Sequence, residues 1–326
     1  MARRETAADA TNDNTYHRER STFPRSMPAQ RFRVDSNSVN QYFWASHLAA
    51  GGLDFQLKAL DPQAEPIAAL GLRESDYQYR LGHSVEHVKS MSKEHWRWRR
   101  LLTLILLSAA LERYIKAAAE LAVASDPALI AGFDKRLDGL YVRKRKLRMQ
   151  KPDLAGLTIG PWPSRFKTYR SLFGTLPSEA AEHEGHLERL RVTRNQVAHS
   201  LGLPDSDDST PTDSLLATVL GARRSSAVQQ VRISDSSVKN LMRVGGEFVE
   251  AVDAHLMREF IGGFEAAALF LDWSESPDRF ERRAGIDLKG GLKEHSQRFR
   301  KMYGVLIGSP MHRTYYVTMK RYVDSL

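Results

Sequence analysis

The sequence contains no cysteine, which excludes disulfide staples, thiolate nucleophiles and cysteine-ligated metal sites. A cysteine-free chain fits a reducing compartment, and a cytoplasmic location is the expectation. A long apolar run is also missing. The most lipid-like stretch, LLTLILLSAAL at 101–111, lies between Arg99–Arg100 and Glu112–Arg113 and is far shorter than the ~20 residues of a membrane helix. The first residues, MARRETAADATNDNTYHRER, lack the apolar centre of a secretory leader, so no membrane partner is expected. There is no glycine-rich phosphate loop, nucleophile elbow or paired-carboxylate site. EHEGH at 182–186 sets its second histidine too early for the HExxH pattern of zinc proteases and reads better as helix-surface decoration. Neither a metal nor a cofactor is expected.

What is present is an ordinary folded composition with a basic excess. Of 326 residues, 42% are hydrophobic and 27% charged, proportions of a globular chain and not a disordered one. The 48 Lys and Arg outnumber the 39 Asp and Glu, giving a formal charge of +9. Such an excess favours a polyanionic partner and says nothing of fold.

Periodicity makes the chain mainly α. Residues 1–35 are polar and poor in large apolar groups and read as a flexible basic arm. An N-terminal segment follows over 36–91. Within it, QYFWASHLAAGGLDFQLKALDPQAEPI fits either strand or helix and carries a Gly51–Gly52 break, whereas SDYQYRLGHSVEHVKSMSKEHW has Tyr77, Leu81, Val85 and Val88 at helical intervals. The best helix signal runs from Ser92, a candidate N-cap, to Ala124, where SDP stops it. A loop-broken basic region leads to a second helix from Ser178, again a candidate N-cap, to Gly202 and Pro204. The acidic LPDSDDSTPTD is an exposed loop, and SLLATVLGARRSSAVQQVRIS allows a short hairpin around its Gly/Arg centre. A third helix, SDSSVKNLMRVGGEFVEAVDAHLMREFIGG, aligns Val238, Leu241, Met242, Phe248, Val249, Val252 and Leu256 on one face. Residues 92–262 form the central helical domain, and 263–326 a C-terminal extension of two or three further helices.

The second helix carries the chemistry. In RLRVTRNQVAHSLG, Arg194 is followed at once by Asn195, and His199 stands five residues beyond the arginine. Arginine followed by histidine at such a spacing is common in an arginine-rich chain, and Arg80 with His87 fits a loose version of it. Arg194 differs in its setting, near the C-terminal end of an amphipathic helix that follows a long Leu/Ala-rich one bearing the polar patch LERYIKA. Residues five apart in a helix are separated by about 7.5 Å along the axis and roughly 140° around it, so a long arginine must fold round to meet the histidine. RNA cleavage needs a base for the 2′-hydroxyl proton, an acid for the leaving 5′-oxygen and a cation for the crowded phosphorane. Histidine transfers protons near neutral pH, arginine presents a fixed fork to phosphate oxygens, and asparagine orients either group. One helix supplies a single histidine, and a twofold dimer would supply two. The bland alternative pairs Arg194 with Glu188 and uses His199 to cap the helix end.

The RNQVAH segment and its helical context resemble the HEPN superfamily over roughly residues 92–262. The resemblance implies a HEPN-like helical bundle. It also implies a metal-independent endoribonuclease with Arg194, Asn195 and His199 as catalytic residues and a homodimer whose active site is composite. Glu112, on the preceding helix, is a further catalytic candidate from the same resemblance; a solvated helix face is its other reading. The product would be a 2′,3′-cyclic phosphate, and the biological role that of a toxin or antiphage effector restrained by a regulatory or antitoxin protein. The alternative is a non-catalytic HEPN-like module that binds RNA or protein. Two basic stretches are candidate RNA contacts, Arg143, Lys144, Arg145, Lys146 and Arg148 by charge and WRWRR at 96–100 by stacking as well. A solvated face and a helix anchored by tryptophans are their respective bland readings.

Overall fold

In this computed structural model, residues 15–73, 81, 84–133, 135–149, 152–200, 233–286 and 294–326 are described. Among them the chain is mainly α, with no strand. The principal helices are α1 (Met27–Lys58), α2 (Val85–Ser125), α3 (Trp162–Phe173), α4 (Glu184–Ser200), α5 (Asp235–Leu256), α6 (Phe264–Glu275), α7 (His295–Ile307) and α8 (Arg313–Ser325). Contacts divide the chain into one unit of residues 1–34, 111–182 and 247–326 and another of 35–110 and 183–246.

This division by contacts runs across the linear one read from the sequence. The expected central domain, 92–262, is shared between the two units, and 263–326 is part of the first unit and not an appendage. The first unit is built round an aromatic core in which Tyr16 and Phe23 meet Phe264, Phe270, Trp273, Phe299, Tyr303 and Tyr315. Residues 15–26 of the expected N-terminal arm thus include Tyr16 and Phe23 packed in this core and a buried Arg18. Its Arg18 donates to Asp138 at 3.0 Å, to the Ile261 carbonyl at 3.1 Å and to the carbonyl and hydroxyl oxygens of Ser125 at 2.9 Å. Gly263 lets this segment lie flat, since a Cβ there would stand 2.4 Å from the His17 carbonyl oxygen. Residues 1–14 lie outside the described residues.

The start of α1 is held by buried carboxylates. Ser26 donates its backbone N–H at 3.0 Å, and its hydroxyl, to Asp253, and Met27 N–H donates to Glu265 at 2.8 Å. These bonds satisfy the helix's first donors. Burial drives the Glu265 carboxyl up to about 8, with Asp253 pushing the same way against the Met27 bond. Further along this unit, Gly139 opens the short helix Gly139–Lys144 so close to α2 that a Cβ would overlap the Ala124 carbonyl.

The second unit contains α4 and parts of α1, α2 and α5. The ambiguity over 41–67 resolves as helix through Lys58, and Gly51–Gly52 does not break it. Ser92 is not an N-cap. It is buried within a helix that already starts at Val85, and its hydroxyl donates to Asp54 at 2.6 Å. The bland reading of WRWRR holds for Trp96 and Arg99. Trp96 donates to Asp54 at 3.0 Å. The Arg99 guanidinium is sandwiched between the rings of Trp96 (4.1 Å) and Phe43 (4.7 Å), and donates to Asp235 at 2.8 Å. Asp235 also accepts from Arg100 at 2.6 Å. Burial opposes its ionisation, but the bonds and charges of Arg100 and Arg99 outweigh this and hold its carboxyl below the usual range.

The expected helix from Ser178 is two pieces, Ser178–Ala181 and α4, and the Ser178 hydroxyl donates to Glu179 instead of capping. The third predicted helix is α5, continued by a π-helical turn, Met257–Ile261. The tail holds α6, a short helix Pro277–Arg283, α7 and α8. The acidic loop, the hairpin, Gly202, Pro204 and Tyr77 lie outside the described residues.

Candidate functional site

On α4, Leu187, Leu190 and Val197 are buried, as spacings of three and seven on one helix face require. Arg194 falls on this same stripe, seven residues after Leu187 and four after Leu190, and is half-buried. A guanidinium cannot rest in an apolar seam without donors satisfied. Its Nη1 turns round the helix and donates to the Asn195 side-chain oxygen at 3.0 Å. Asn195 precedes His199 by four residues in the same helix, the spacing at which helical residues are surface neighbours. The backbone of His199 lies in the last turn of α4; its side chain is outside the described residues. Glu188, the partner in the bland reading, is gripped by Arg191, whose Nη2 and Nε donate at 2.6 and 3.0 Å.

Glu112 belongs to the first unit and Arg194 to the second. Glu112 accepts from Arg165 at 3.2 Å. Arg165 is itself buried, donates to the Gly160 carbonyl at 2.9 Å and lies 4.9 Å from the centre of the Trp162 ring. This is a bond that fixes the start of α3 on α2, so Glu112 has a structural task whatever its chemistry.

The basic run is largely occupied. Arg143 makes a bidentate pair with Asp272. Lys144 donates to the carbonyl oxygens of Val323 and Asp324 at 2.5 and 3.0 Å. Lys146, at φ 52°, stands 3.6 Å from Glu275. These contacts tie the short helix Gly139–Lys144 to α6 and α8. Arg145 stacks over Tyr141 at 5.6 Å, and Arg148 is exposed. Arg145 and Arg148 are thus the two of the five cations that are exposed and not drawn onto α6 or α8 by the contacts above.

Two cavities of the first unit were not foreseen. One, of about 730 Å³, is lined by Val123, Ile130, Val142, Leu147 and Phe264, with Arg143 at its edge. The other, of about 500 Å³, has Glu179, Glu247, Glu250 and Arg258 round it and His255 in its wall. His255 Nδ1 is 2.8 Å from the Tyr169 hydroxyl and Nε2 is 3.4 Å from Thr175 Oγ1. Burial lowers its pKa, with Arg258 acting the same way and Glu259 against. A lone histidine in an amphipathic helix carried no signal for this; only tertiary contact brings Tyr169 and Thr175 to it. Among the described residues no group of three or more His, Asp or Glu is placed to hold a metal ion, and His183 and His186 form no such group. No helix there is long and apolar enough to cross a membrane. No family model matches the chain, and no match emerges among curated proteins or solved structures.

Proposed function

We propose that this chain is a metal-independent endoribonuclease acting through Arg194, Asn195 and His199. The observation that carries the reading is the Arg194–Asn195 hydrogen bond at 3.0 Å. It joins the cation to the residue four positions before His199 in the same helix.

In the reaction, one imidazole takes the proton of the 2′-hydroxyl and the 2′-oxygen attacks phosphorus. The bond to the 5′-oxygen breaks, and a second imidazole, as imidazolium, gives that oxygen its proton. The products are a 2′,3′-cyclic phosphate and a 5′-hydroxyl. Arg194 stabilises the pentacoordinate phosphorane, and Asn195 holds the guanidinium in place. Two imidazoles call for two chains, so the active species is a homodimer with a composite site. Arg145 and Arg148 are the cations of the basic run offered to RNA backbone. Cytoplasmic RNA is the substrate, and the role is that of a toxin or antiphage effector kept in check by a regulatory protein.

The test is incubation with total RNA in EDTA, comparing Arg194→Ala and His199→Ala with the parent chain. Cleavage that survives EDTA and falls at least a hundredfold in each variant supports the reading. Equal cleavage by all three removes the assigned site, and tight RNA binding without cleavage indicates a binding module.

A further inference from the structure

We propose that the end of α6 and the short helix Pro277–Arg283 form a docking surface for single-stranded nucleic acid, outside the two stretches read from the sequence as RNA contacts. Asp272, Glu275, Arg279, Phe280 and Arg283 line a depression of about 480 Å³, all within the first unit. Arg279, Arg282 and Arg283 are exposed, and their spacings of three and four set them on one helix face. The carboxylates around them are already engaged. Asp272 is held by Arg143, and Glu275 stands 3.6 Å from Lys146. Asp278 accepts from Arg298, and the buried Glu281 accepts from Arg298 and from Trp273, each at 2.9 Å. Arg282 donates to the Asp278 carbonyl at 3.2 Å. No carboxylate among the described residues pairs with Arg279 or Arg283. Like charges four residues apart on a helix repel and weaken it, so an anion set between these two stabilises both. The contacts of Arg143 and Lys146 bring the basic run beside this depression, and Arg145 and Arg148 extend the cationic surface beyond Lys146.

The occupant's chemistry follows from what lies among the cations. Phe280 is half-buried, packed against the core of the first unit while lining the depression. Tyr141, 43% exposed, has the Arg145 guanidinium 5.6 Å from its ring centre. Rings set among cations give bases a stacking face and phosphates a counter-charge, the combination by which single strands are held. A duplex keeps its bases stacked on one another and offers Phe280 nothing. A sulfated polysaccharide carries the charge but has no flat π-face.

That the strand is RNA rests on the proposed function, and the experiment separates the two. Fluorescence anisotropy with labelled oligonucleotides of about 12 nucleotides is run on the full chain, on the double variant Arg279→Gln with Arg283→Gln, and on Phe280→Leu, which keeps an apolar side chain against the core. The probes are oligo-uridine with 2′-O-methyl sugars, which 2′-hydroxyl attack cannot cut, oligo-thymidine, a duplex of the same length and, as competitor, heparin. The parent chain is expected to bind both single strands more tightly than the duplex. The double variant is expected to lose at least tenfold on single strands and heparin alike, and Phe280→Leu at least fivefold on single strands alone. Unchanged binding in the double variant overturns the proposal. So does a duplex bound as tightly as the single strands, or a Phe280→Leu loss that extends equally to heparin. Because both arginines are exposed, the double variant decides the matter even if Phe280→Leu fails to fold. RNA cleavage in EDTA is measured beside binding. Single strands held as expected with no RNA cut leave the surface standing and remove the nuclease reading; cleavage with binding untouched in the double variant does the reverse.

Discussion

Glu265→Gln is the change whose effect on the fold can be worked out most fully. The carboxyl sits behind the first turn of α1, accepts from Met27 N–H at 2.8 Å and is raised from 4.5 to about 8 by burial and by Asp253. A carboxyl whose pKa is higher in the folded chain favours folding most below the unfolded value. That contribution is lost as pH climbs through the folded one. At 1.36 kcal/mol per unit, the loss between about pH 5.5 and about pH 8.5 is on the order of 3 kcal/mol. Glutamine keeps the acceptor oxygen and cannot ionise, so it escapes this loss. Urea unfolding at the two pH values is expected to show the variant close to the parent chain in acid and more stable by roughly that amount in base. Groups common to both chains cancel in the difference. A difference that stays constant across the range would refute the account of how α1 is anchored.

Two other substitutions test the pairing described above. Asp235→Ala leaves the fully buried Arg99 without its partly exposed carboxylate, a cost between those of exposed and buried pairs, about 1–3 kcal/mol; a loss well under about 1 kcal/mol in chemical denaturation would mean that the rings of Trp96 and Phe43 suffice for Arg99. For RNA binding, Arg145→Ala with Arg148→Ala is expected to reduce the salt slope by roughly 2, one per phosphate contact, as read by filter binding at several salt concentrations. Arg143→Ala, which removes a bond to Asp272, should instead lower stability. An unchanged slope in the double variant would exclude the basic run from the RNA interface.

How legible the protein was in its sequence varied with the kind of force involved. Apolar periodicity is a local signal, and it gave α5, further helices in 263–326 and the helical class of the whole. It failed where partners distant in sequence decide. Tyr16 and Phe23 stand in a polar stretch, and only the aromatic core formed by α6, α7 and α8 with the four bonds of Arg18 makes that stretch ordered. Ser92 looks like a cap because its hydroxyl needs a partner, and Asp54, thirty-eight residues earlier, is that partner. Gly51–Gly52 reads as a break by propensity, at about 1 kcal/mol per glycine, and the packing of Phe43, Ala50 and Leu57 overrides it. At the candidate site, the Arg–Asn–His spacing and its place on a helix that buries Leu187, Leu190 and Val197 were visible, but not the bond of Arg194 to the Asn195 side chain. The ion pairs of Arg143, Lys144 and Lys146 were equally hidden, since their partners lie in the last third of the chain.

The central claim is tested most directly by the chemistry of the cut end. With a defined RNA oligonucleotide in EDTA, mass spectrometry of the 5′ fragment is expected to find a 2′,3′-cyclic phosphate from the parent chain and intact oligonucleotide from His199→Ala. A 3′-hydroxyl or 5′-phosphate end, or the same cyclic product from the His199 variant, would contradict it.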